Sequence, residues 1–312
     1  TLGIKEITDA VTANNGLLDK AAIQLGTSPA TLRFVAKQNG IDFEQFRFQE
    51  FSRNISYESK TIDIAPGETV AIVSDIHVPL YSKLWVNLFL DICKDKGVKR
   101  CIVAGDMFEF SHFSKYFKPG KADSFEDNDK EEAEFIIQRM LDVFTEIYFI
   151  LGNHDKRLVK QVLYAIGLND IMKMFAPTET NKEIKTVDLD HIILQHPTKG
   201  KWLVCHPKAT SGLKESLSYR LTMKYDMHVA RAHGHHIGIV LSANGKYCCA
   251  DTGALCDEKQ MDYCNDVSTY PKTNNGFLLL EDGIPVLVSA KTFNLEKYLD
   301  KYRGMPFYEE PV

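Results

Sequence analysis

Short polar clusters follow five apolar segments of this 312-residue chain, and their side chains are of the types that bind metal ions. In chain order they are Asp75-Ile76-His77, Gly105-Asp106, Gly152-Asn153-His154-Asp155, Cys205-His206 and Ala232-His233-Gly234-His235. The apolar segments have the β-branched and aromatic residues typical of buried strands. Because ligands of α/β proteins bind at the carboxyl ends of strands, we expect the five clusters to form one site.

The mixture of ligand types indicates which ions such a site would hold. Carboxylate and amide oxygens combined with imidazole nitrogens suit Mn, Fe, Zn or Ni better than Ca or Mg. If each cluster supplies one or two ligands, for a total of seven, there are too many for one ion. Seven ligands fit two ions, provided that one carboxylate bridges them. Two cations roughly 3.5–4 Å apart can hold the attacking and leaving oxygens of a phosphate ester and stabilise its developing charge. The clusters therefore predict two-metal phosphoester hydrolysis.

The elements that must position these clusters alternate between strand and helix from about residue 61. Amphipathic helices are predicted over 83–95 and 129–145, between the first three apolar strands, so those strands should pair in parallel. After residue 183 the strands become shorter. Asn244-Gly245 and Asp282-Gly283 are strong hairpin signals there. We therefore expect the second half to be mostly antiparallel.

The order of the five clusters resembles that of the calcineurin-like metallophosphoesterase family, over about residues 68–290. The resemblance implies an α/β fold of the αββα sandwich type, with two mixed β-sheets flanked by helices. It implies one metal held by Asp75, His77 and His235, and a second held by Asn153, His206 and His233. Asp106 would bridge the two ions. Mn²⁺ is the expected ion, with Fe, Zn and Ni as alternatives.

The same resemblance assigns catalytic roles to residues that the metals do not hold. His154 would act on the phosphate as general acid or as a donor to its oxygens, and Glu109 would pair with His154. A hydroxide held by the metals would be the nucleophile, because cations lower the pKa of bound water. Apart from the resemblance, Arg157, His236 and His112 are candidates for substrate contacts, with a helix-surface role for Arg157 and a rim or structural role for His112 as the alternatives. Asp155 is expected to support the site.

Two of the ligand assignments have alternatives. Gln195-His196-Pro197 has the same pattern as Cys205-His206-Pro207, so His196 is a second candidate for the fourth cluster. His206 is preferred because it leads into the segment before the last cluster. In the run from His233 to His236 we favour His233 and His235, because a spacing of two places both side chains on one side of an extended segment.

The N-terminal residues 1–50 are predicted to form a small helical domain. One helical segment ends at Gly26, and Ser28 and Pro29 suit the N-cap and first position of the next helix. A connector is predicted at 51–67. The phosphoesterase-like domain at 68–290 is followed by a peripheral tail at 291–312.

A pattern in this domain, Ala-x-x-Leu-Gly-Thr-Ser-x-x-Thr-Leu, resembles the DNA-binding helix-turn-helix of phage and bacterial regulators. The resemblance places Thr31, Arg33 and Lys37 on the exposed face of the second helix. Residues 1–40 carry four Lys/Arg and three Asp/Glu, a net charge of +1. Because phosphate contacts supply much of the affinity for DNA, a helical pair that packs or mediates assembly is the alternative.

Composition indicates a cytoplasmic protein of a bacterium or a phage-infected cell. The sequence has no apolar run of membrane-spanning length, and we expect no signal peptide. Its seven Cys lie partly in apolar runs, as expected of reduced thiols. The net charge of −5 argues against non-specific coating of nucleic acid or acidic membranes. The oligomeric state stays open.

The stretch 105–157 most resembles phage or prophage metallophosphoesterases, which are commonly taken for nucleases. We therefore expect a phosphodiesterase or nuclease acting on DNA or nucleotides. The alternatives are a nucleotide or cyclic-nucleotide phosphodiesterase, or a phosphomonoesterase, with a structural N-terminal domain. A DNA-binding scaffold protein with a vestigial metal site is a further alternative, but the ligand set is complete.

Overall fold

The computed structural model of the chain describes residues 3–14, 18–41, 59–114, 127–175, 183–261 and 273–311. The chain divides into two compact units, Thr1–Glu58 and Ser59–Val312. The predicted connector at 51–67 is described only from Ser59 onward. A flap predicted at 117–129 from its polar, Pro-Gly-containing sequence lies outside the described residues up to 126.

The N-terminal unit contains three short helices within its described residues: α1 Ile4–Ala13, α2 Leu18–Gln24 and α3 Pro29–Gln38. They bury Ile7, Val11, Ala21 and Leu32 in a small core of their own. Ser28 caps α3 as predicted, since its Oγ accepts a hydrogen bond from the Thr31 amide at 3.1 Å. Whether these helices act as a DNA-binding helix-turn-helix stays a prediction.

The larger unit contains two six-stranded sheets with helices on their outer faces. In its described residues the helices are α4 Lys83–Asp95, α5 Asp127–Val143, α6 Asp155–Gln161, α7 Leu168–Phe175, α8 Ser216–Tyr225 and α9 Glu296–Leu299. The strands are β1 Thr61–Asp63, β2 Thr69–Val73, β3 Arg100–Val103, β4 Glu146–Ile150, β5 Glu183–Val187, β6 His191–His196, β7 Gly200–Cys205, β8 His228–Arg231, β9 Ile237–Leu241, β10 Cys248–Thr252, β11 Phe277–Glu281 and β12 Ile284–Val288. None of the helices described here has the length and apolar character needed to cross a bilayer.

Strand order is β1-β6-β7-β8-β10-β9 in one sheet and β12-β11-β2-β3-β4-β5 in the other. Strands β2 to β5 pair in parallel, as predicted for the first three. The expectation of a mostly antiparallel second half is confirmed only in part. β6 with β7, β9 with β10, and β11 with β12 pair antiparallel, but β7, β8 and β10 pair in parallel. Helix α8 carries the chain back between β7 and β8, and β9 lies outside β10 at the sheet edge.

The alternation of side chains along the strands forms two cores. Val70 and Ile72 of β2 lie between the sheets with Trp202 and Val204 of β7. The intervening residues of β2 point to the opposite face, where they pack with Phe89 of α4. The result is the αββα sandwich that the family resemblance implied. At the predicted hairpin between β11 and β12, both turn residues have the positive φ that a tight turn requires.

The segment at 291–311, predicted as a peripheral tail, contributes to the core beside α4. Leu295, Tyr298 and Leu299 are buried in the same cluster as the α4 side chains. The Tyr298 hydroxyl donates a hydrogen bond to Asp95 of α4 at 2.7 Å. The apolar residues of this segment thus complete the helical layer of the larger unit.

We predict that Leu299→Ala lowers the free energy of unfolding by about 2–5 kcal/mol, because it removes buried methyl groups and leaves a cavity. Met305→Ala is the matched control in the same segment. Since Met305 is 48% exposed, its change should stay within about 0.5 kcal/mol. Urea unfolding of both variants measures the difference, and equal stabilities would contradict the packing of this segment.

Candidate metal centre

The polar clusters follow strands whose carboxyl ends lie at one edge of the molecule. Strands β2, β3 and β4 are parallel neighbours in one sheet, and β7 and β8 are parallel neighbours in the other. Within one to three residues of these strand ends the chain places most of the predicted ligands. The structure brings all seven together: Asp75, His77, Asp106, Asn153, His206, His233 and His235.

One group of candidate ligand atoms comes from Asp75, His77 and His235, all of them buried. The Nε2 atom of His235 lies 3.2 Å from Asp75 Oδ1 and 3.3 Å from His77 Nε2. His77 Nε2 is 3.8 Å from the same Asp75 oxygen. Two ring nitrogens and one carboxylate oxygen therefore point at a common centre.

A second group contains Asp75, Asp106, His206 and His233. His206 Nε2 lies 3.1 Å from Asp106 Oδ2 and 2.9 Å from the side-chain oxygen of Asn153. Asp106 Oδ2 is also 3.8 Å from His77 Nε2 of the first group. This carboxylate oxygen thus lies between the two groups.

The donor set fits two divalent cations. Asp75 Oδ1 and Asp106 Oδ2 are buried, and neither accepts a hydrogen bond from the residues that the structure describes. The nitrogens of His235 and His206 approach these oxygens without hydrogen-bond geometry. Burying an unpaired carboxylate oxygen is costly, and a cation between these atoms would remove that cost.

The pKa values of the ring nitrogens follow from the same charges. Burial opposes protonation of His77, but the carboxylates of Asp75 and Glu109 outweigh it and raise the pKa of this ring to about 10. Burial and the charge of His206 lower the pKa of His233 to about 4. His233 is therefore neutral at neutral pH, with a lone pair available for a metal. At His77 a cation would take the place of the proton that the carboxylates attract.

Five of the seven predicted ligands have a left-handed backbone, although none is glycine. Their φ angles are 52° for Asp75, 55° for His77, 52° for Asp106, 75° for His233 and 50° for His235. This conformation costs about 1–2 kcal/mol for each non-glycine residue, so the surrounding structure must hold it. A concentration of such residues at one site indicates a functional constraint on the backbone.

Asp155, expected only to support the site, joins two of the strand-end loops. Its carboxylate accepts hydrogen bonds from the backbone amides of Asp106, Phe108 and Gly152 at 2.9–3.1 Å. Burial and the neighbouring charge of Asp106 raise the pKa of Asp155 to about 6. Only glycine fits at position 152, because a Cβ there would lie 2.1 Å from the Asp106 amide nitrogen.

Glu109 contacts both a predicted ligand and the predicted catalytic histidine. Its Oε2 atom lies 2.6 Å from His77 Nδ1 and 2.9 Å from His154 Nδ1. Arg157 Nη1 donates to Glu109 Oε1 at 3.0 Å, and Arg157 Nη2 lies 3.0 Å from His154 Nε2. Burial lowers the pKa of His154. His154, Glu109 and Arg157 thus form one connected group beside the metal ligands.

Three other candidates lie outside the groups of converging ligand atoms in the described part of the chain. His196 is at the far end of β6, where its Nε2 lies 3.0 Å from Asp282. His236 is buried directly after His235, and half-buried His112 lies in a short 3-10 turn. Neither is placed against a substrate by these observations.

A buried ion pair beside the site, Arg231 with Asp251, was missed by the sequence analysis. Its signal was a charged side chain within the apolar segment Val229-Ala230-Arg231-Ala232. A charged residue at such a position requires a buried partner. Asp251 is that partner, 20 residues later on β10.

The family model for calcineurin-like phosphoesterases matches residues 68–264, which include all seven of the candidate ligands brought together above. The chain belongs to the calcineurin-like phosphoesterase family. This phosphoesterase is accordingly a metal-dependent phosphoric ester hydrolase. No curated protein matches its sequence.

Solved structures similar to this phosphoesterase are distant from it. A single mutant of Vps29 from Entamoeba histolytica is 12% identical, with 70% of this chain and 97% of that chain covered and a TM-score of 0.35. YfcE, a phosphoesterase from E. coli, is 12% identical, with 68% and 87% covered and a TM-score of 0.35. Vps29 from Chaetomium thermophilum is 7% identical, with 70% and 83% covered and a TM-score of 0.41. Similarities this distant do not bear on the substrate.

We predict that His206→Ala loses bound metal whereas His196→Ala keeps it. Only His206 has a ring nitrogen within 3.1 Å of the unpaired Asp106 oxygen, while His196 binds Asp282 at another edge. Both substitutions remove a buried imidazole, so they are matched. Metal content by inductively coupled plasma mass spectrometry decides between them, and full metal retention by His206→Ala would contradict the assignment.

Proposed function

We propose that this phosphoesterase cleaves phosphodiesters in DNA or nucleotides with two divalent cations, Mn²⁺ first among them. One cation would be held by Asp75, His77 and His235, and the other by Asn153, His206 and His233. The observation that carries the proposal is the position of Asp106 Oδ2. This oxygen is buried and unpaired among the described residues, between His77 of one group and His206 of the other. That is where a bridging ligand is required.

The cations, when bound, supply positive charge to the phosphoryl oxygens and activate water. The chain's own residues orient the ester and handle its proton. Glu109 lies against Nδ1 of His154, so Nε2 is the atom left to face a substrate. In the structure Arg157 Nη2 is 3.0 Å from that atom.

This contact suggests how substrate binding would prepare His154. An arginine always donates, so Nε2 next to Arg157 must be the unprotonated nitrogen. A phosphate ester entering the site would attract the guanidinium, because arginine binds phosphate oxygens strongly. With Arg157 turned to the phosphate, His154 Nε2 would take up a proton from solvent and donate it to the leaving oxygen, while Nδ1 keeps its proton toward Glu109.

The charge of the site favours a diester over a monoester. A phosphodiester carries one negative charge, whereas a phosphomonoester carries about two at neutral pH. Arg157 donates to both the backbone and the side-chain oxygen of Glu109, so its positive charge is already shared with a carboxylate. Among the described residues, Arg157 therefore adds little positive charge to that of the two cations, and this suits the monoanionic ester better.

For the N-terminal unit we propose a role in bringing DNA to the enzyme. Thr31, Arg33 and Lys37 are exposed on α3, where cationic and hydroxyl side chains can contact phosphates. Phe34 on the same helix is 61% exposed, which favours the alternative of a structural or assembly role. In that case the enzyme would be a nucleotide phosphodiesterase.

We predict that Asp106→Asn and His154→Ala each lower Mn-dependent turnover of bis(p-nitrophenyl) phosphate by at least about 100-fold. The first loses the proposed bridge, and the second loses the proton donor. His196→Ala should keep wild-type turnover. The wild type should also prefer this diester to p-nitrophenyl phosphate. Wild-type turnover in both site variants would refute the assignment, and a preference for the monoester would refute the diester proposal.

For the N-terminal unit, we predict that Arg33→Ala combined with Lys37→Ala weakens DNA binding and lowers its salt dependence. The slope of log affinity against log salt should fall by about two, one for each phosphate contact removed. Turnover of bis(p-nitrophenyl) phosphate should not change. Lys20→Ala, an exposed cation on α2, is the control. Unchanged DNA binding and cleavage would favour the nucleotide phosphodiesterase.

A further inference from the structure

A buried ion pair lies beneath the loop that carries His233 and His235. Arg231 Nε donates to Asp251 Oδ1 at 2.9 Å, and Arg231 Nη2 donates to Asp251 Oδ2 at 2.7 Å. Both side chains are fully buried. A buried ion pair contributes little net stability to a fold, so stability alone does not explain the position of this pair.

The loop above this pair is both strained and closely packed. His233 and His235, on either side of Gly234, have left-handed backbones. A Cβ added to Gly234 would lie 2.3 Å from Arg231 Nη1 and 2.6 Å from Nη2. The guanidinium therefore occupies the space directly beneath the loop. Any shift of the Arg231 side chain would therefore displace the backbone at Gly234, between His233 and His235.

Asp251 also reaches the segment that follows His206. Its Oδ2 atom accepts a second hydrogen bond, from the Glu215 amide at 2.9 Å. Glu215 has a left-handed backbone itself and immediately precedes α8. The Asp251 carboxylate thus binds both Arg231 and the end of the loop that connects His206 to α8.

Thr252, the residue after Asp251, links this ion pair by hydrogen bonds to a segment of the other sheet. Thr252 Oγ1 donates to the backbone oxygen of Arg231 at 3.3 Å and lies 2.8 Å from Ser74 Oγ. Ser74 precedes Asp75, the carboxylate shared by both groups of candidate ligands. Arg231 and Asp251 therefore stand at the centre of a polar network that reaches several ligand-carrying segments.

We propose that Arg231 and Asp251 are positioning residues that hold His206, His233 and His235 in the arrangement required to bind metal. The proposal rests on the metal ligands assigned under the proposed function. Neither residue touches the substrate. Loosening the pair would therefore weaken metal binding and lower kcat, with little effect on KM. Substitutions behind metal ligands commonly cost about 10- to 100-fold in metal affinity or activity.

The test compares the wild type with the double variant Arg231→Met, Asp251→Leu. Removing both charges together leaves no buried charge without a partner, so the fold should be retained. The control is Arg100→Met with Glu146→Leu, a partly exposed ion pair at the opposite end of β3 and β4. Each protein is stripped of metal, its melting temperature is measured, and Mn²⁺ affinity is then determined by titration calorimetry. Kinetics on bis(p-nitrophenyl) phosphate give kcat and KM separately.

We expect the double variant to melt close to the metal-free wild type but to bind Mn²⁺ about 10- to 100-fold more weakly, with kcat reduced and KM nearly constant. The control should bind Mn²⁺ as the wild type does. Wild-type affinity and kcat in the double variant would overturn the positioning role while leaving the proposed function intact. A wild type that binds no Mn²⁺ would overturn both.

Arg231→Lys provides a second variant that keeps the charge but cannot make the two parallel hydrogen bonds. If the double variant melts far below the wild type, this substitution decides the question. An Mn²⁺ affinity between those of the wild type and the double variant supports positioning by hydrogen-bond geometry. An affinity equal to that of the wild type contradicts it.

Discussion

Unpaired negative charge, buried where two sheets meet, is the constraint on which the rest of this structure depends. Asp75 and Asp106 each keep one carboxylate oxygen without a hydrogen bond from the described residues. Elsewhere in a protein interior such an arrangement would be strongly unfavourable. It is tolerable here because imidazole nitrogens surround the same points, so that a cation can occupy them. The order of strands, the sharp turns after them and the supporting hydrogen bonds all maintain this arrangement.

The left-handed backbone at five of the candidate ligands follows from that constraint. A strand ends at the sheet edge, and the chain must turn sharply for its next side chain to reach a common centre. Hydrogen bonds to the ligand carboxylates offset part of the conformational cost. The His154 amide donates to Asp106 Oδ1 at 2.7 Å, and the His233 amide donates to Asp75 Oδ2 at 3.1 Å. One carboxylate oxygen of each aspartate thus accepts a backbone hydrogen bond, and the other faces the candidate metal site.

Much of this architecture could be predicted because it is local in sequence. Helix and strand periodicity predicted the parallel strands β2 to β4, and the Asn-Gly and Asp-Gly dipeptides predicted the hairpin turns. The polar clusters at strand ends predicted which residues converge. Contacts distant in sequence could not be predicted this way. The parallel pairing of β7 with β8 depends on α8 folding back over the sheet, and Arg231 meets its partner only through the pairing of β8 with β10. The ligand types do not reveal the substrate either, because every phosphate ester offers the same oxygens to a pair of cations.

The division of the ligands between two sheets has a thermodynamic consequence. Asp75, His77, Asp106 and Asn153 follow strands of one sheet, whereas His206, His233 and His235 follow strands of the other. An ion bound by both sets would hold the sheets together and bind only the folded chain. By mass action, one such site at a metal concentration 100 times its Kd would stabilise the fold by about 2.7 kcal/mol. Resistance to heat would then depend on the supply of metal, whichever phosphate ester the enzyme cleaves.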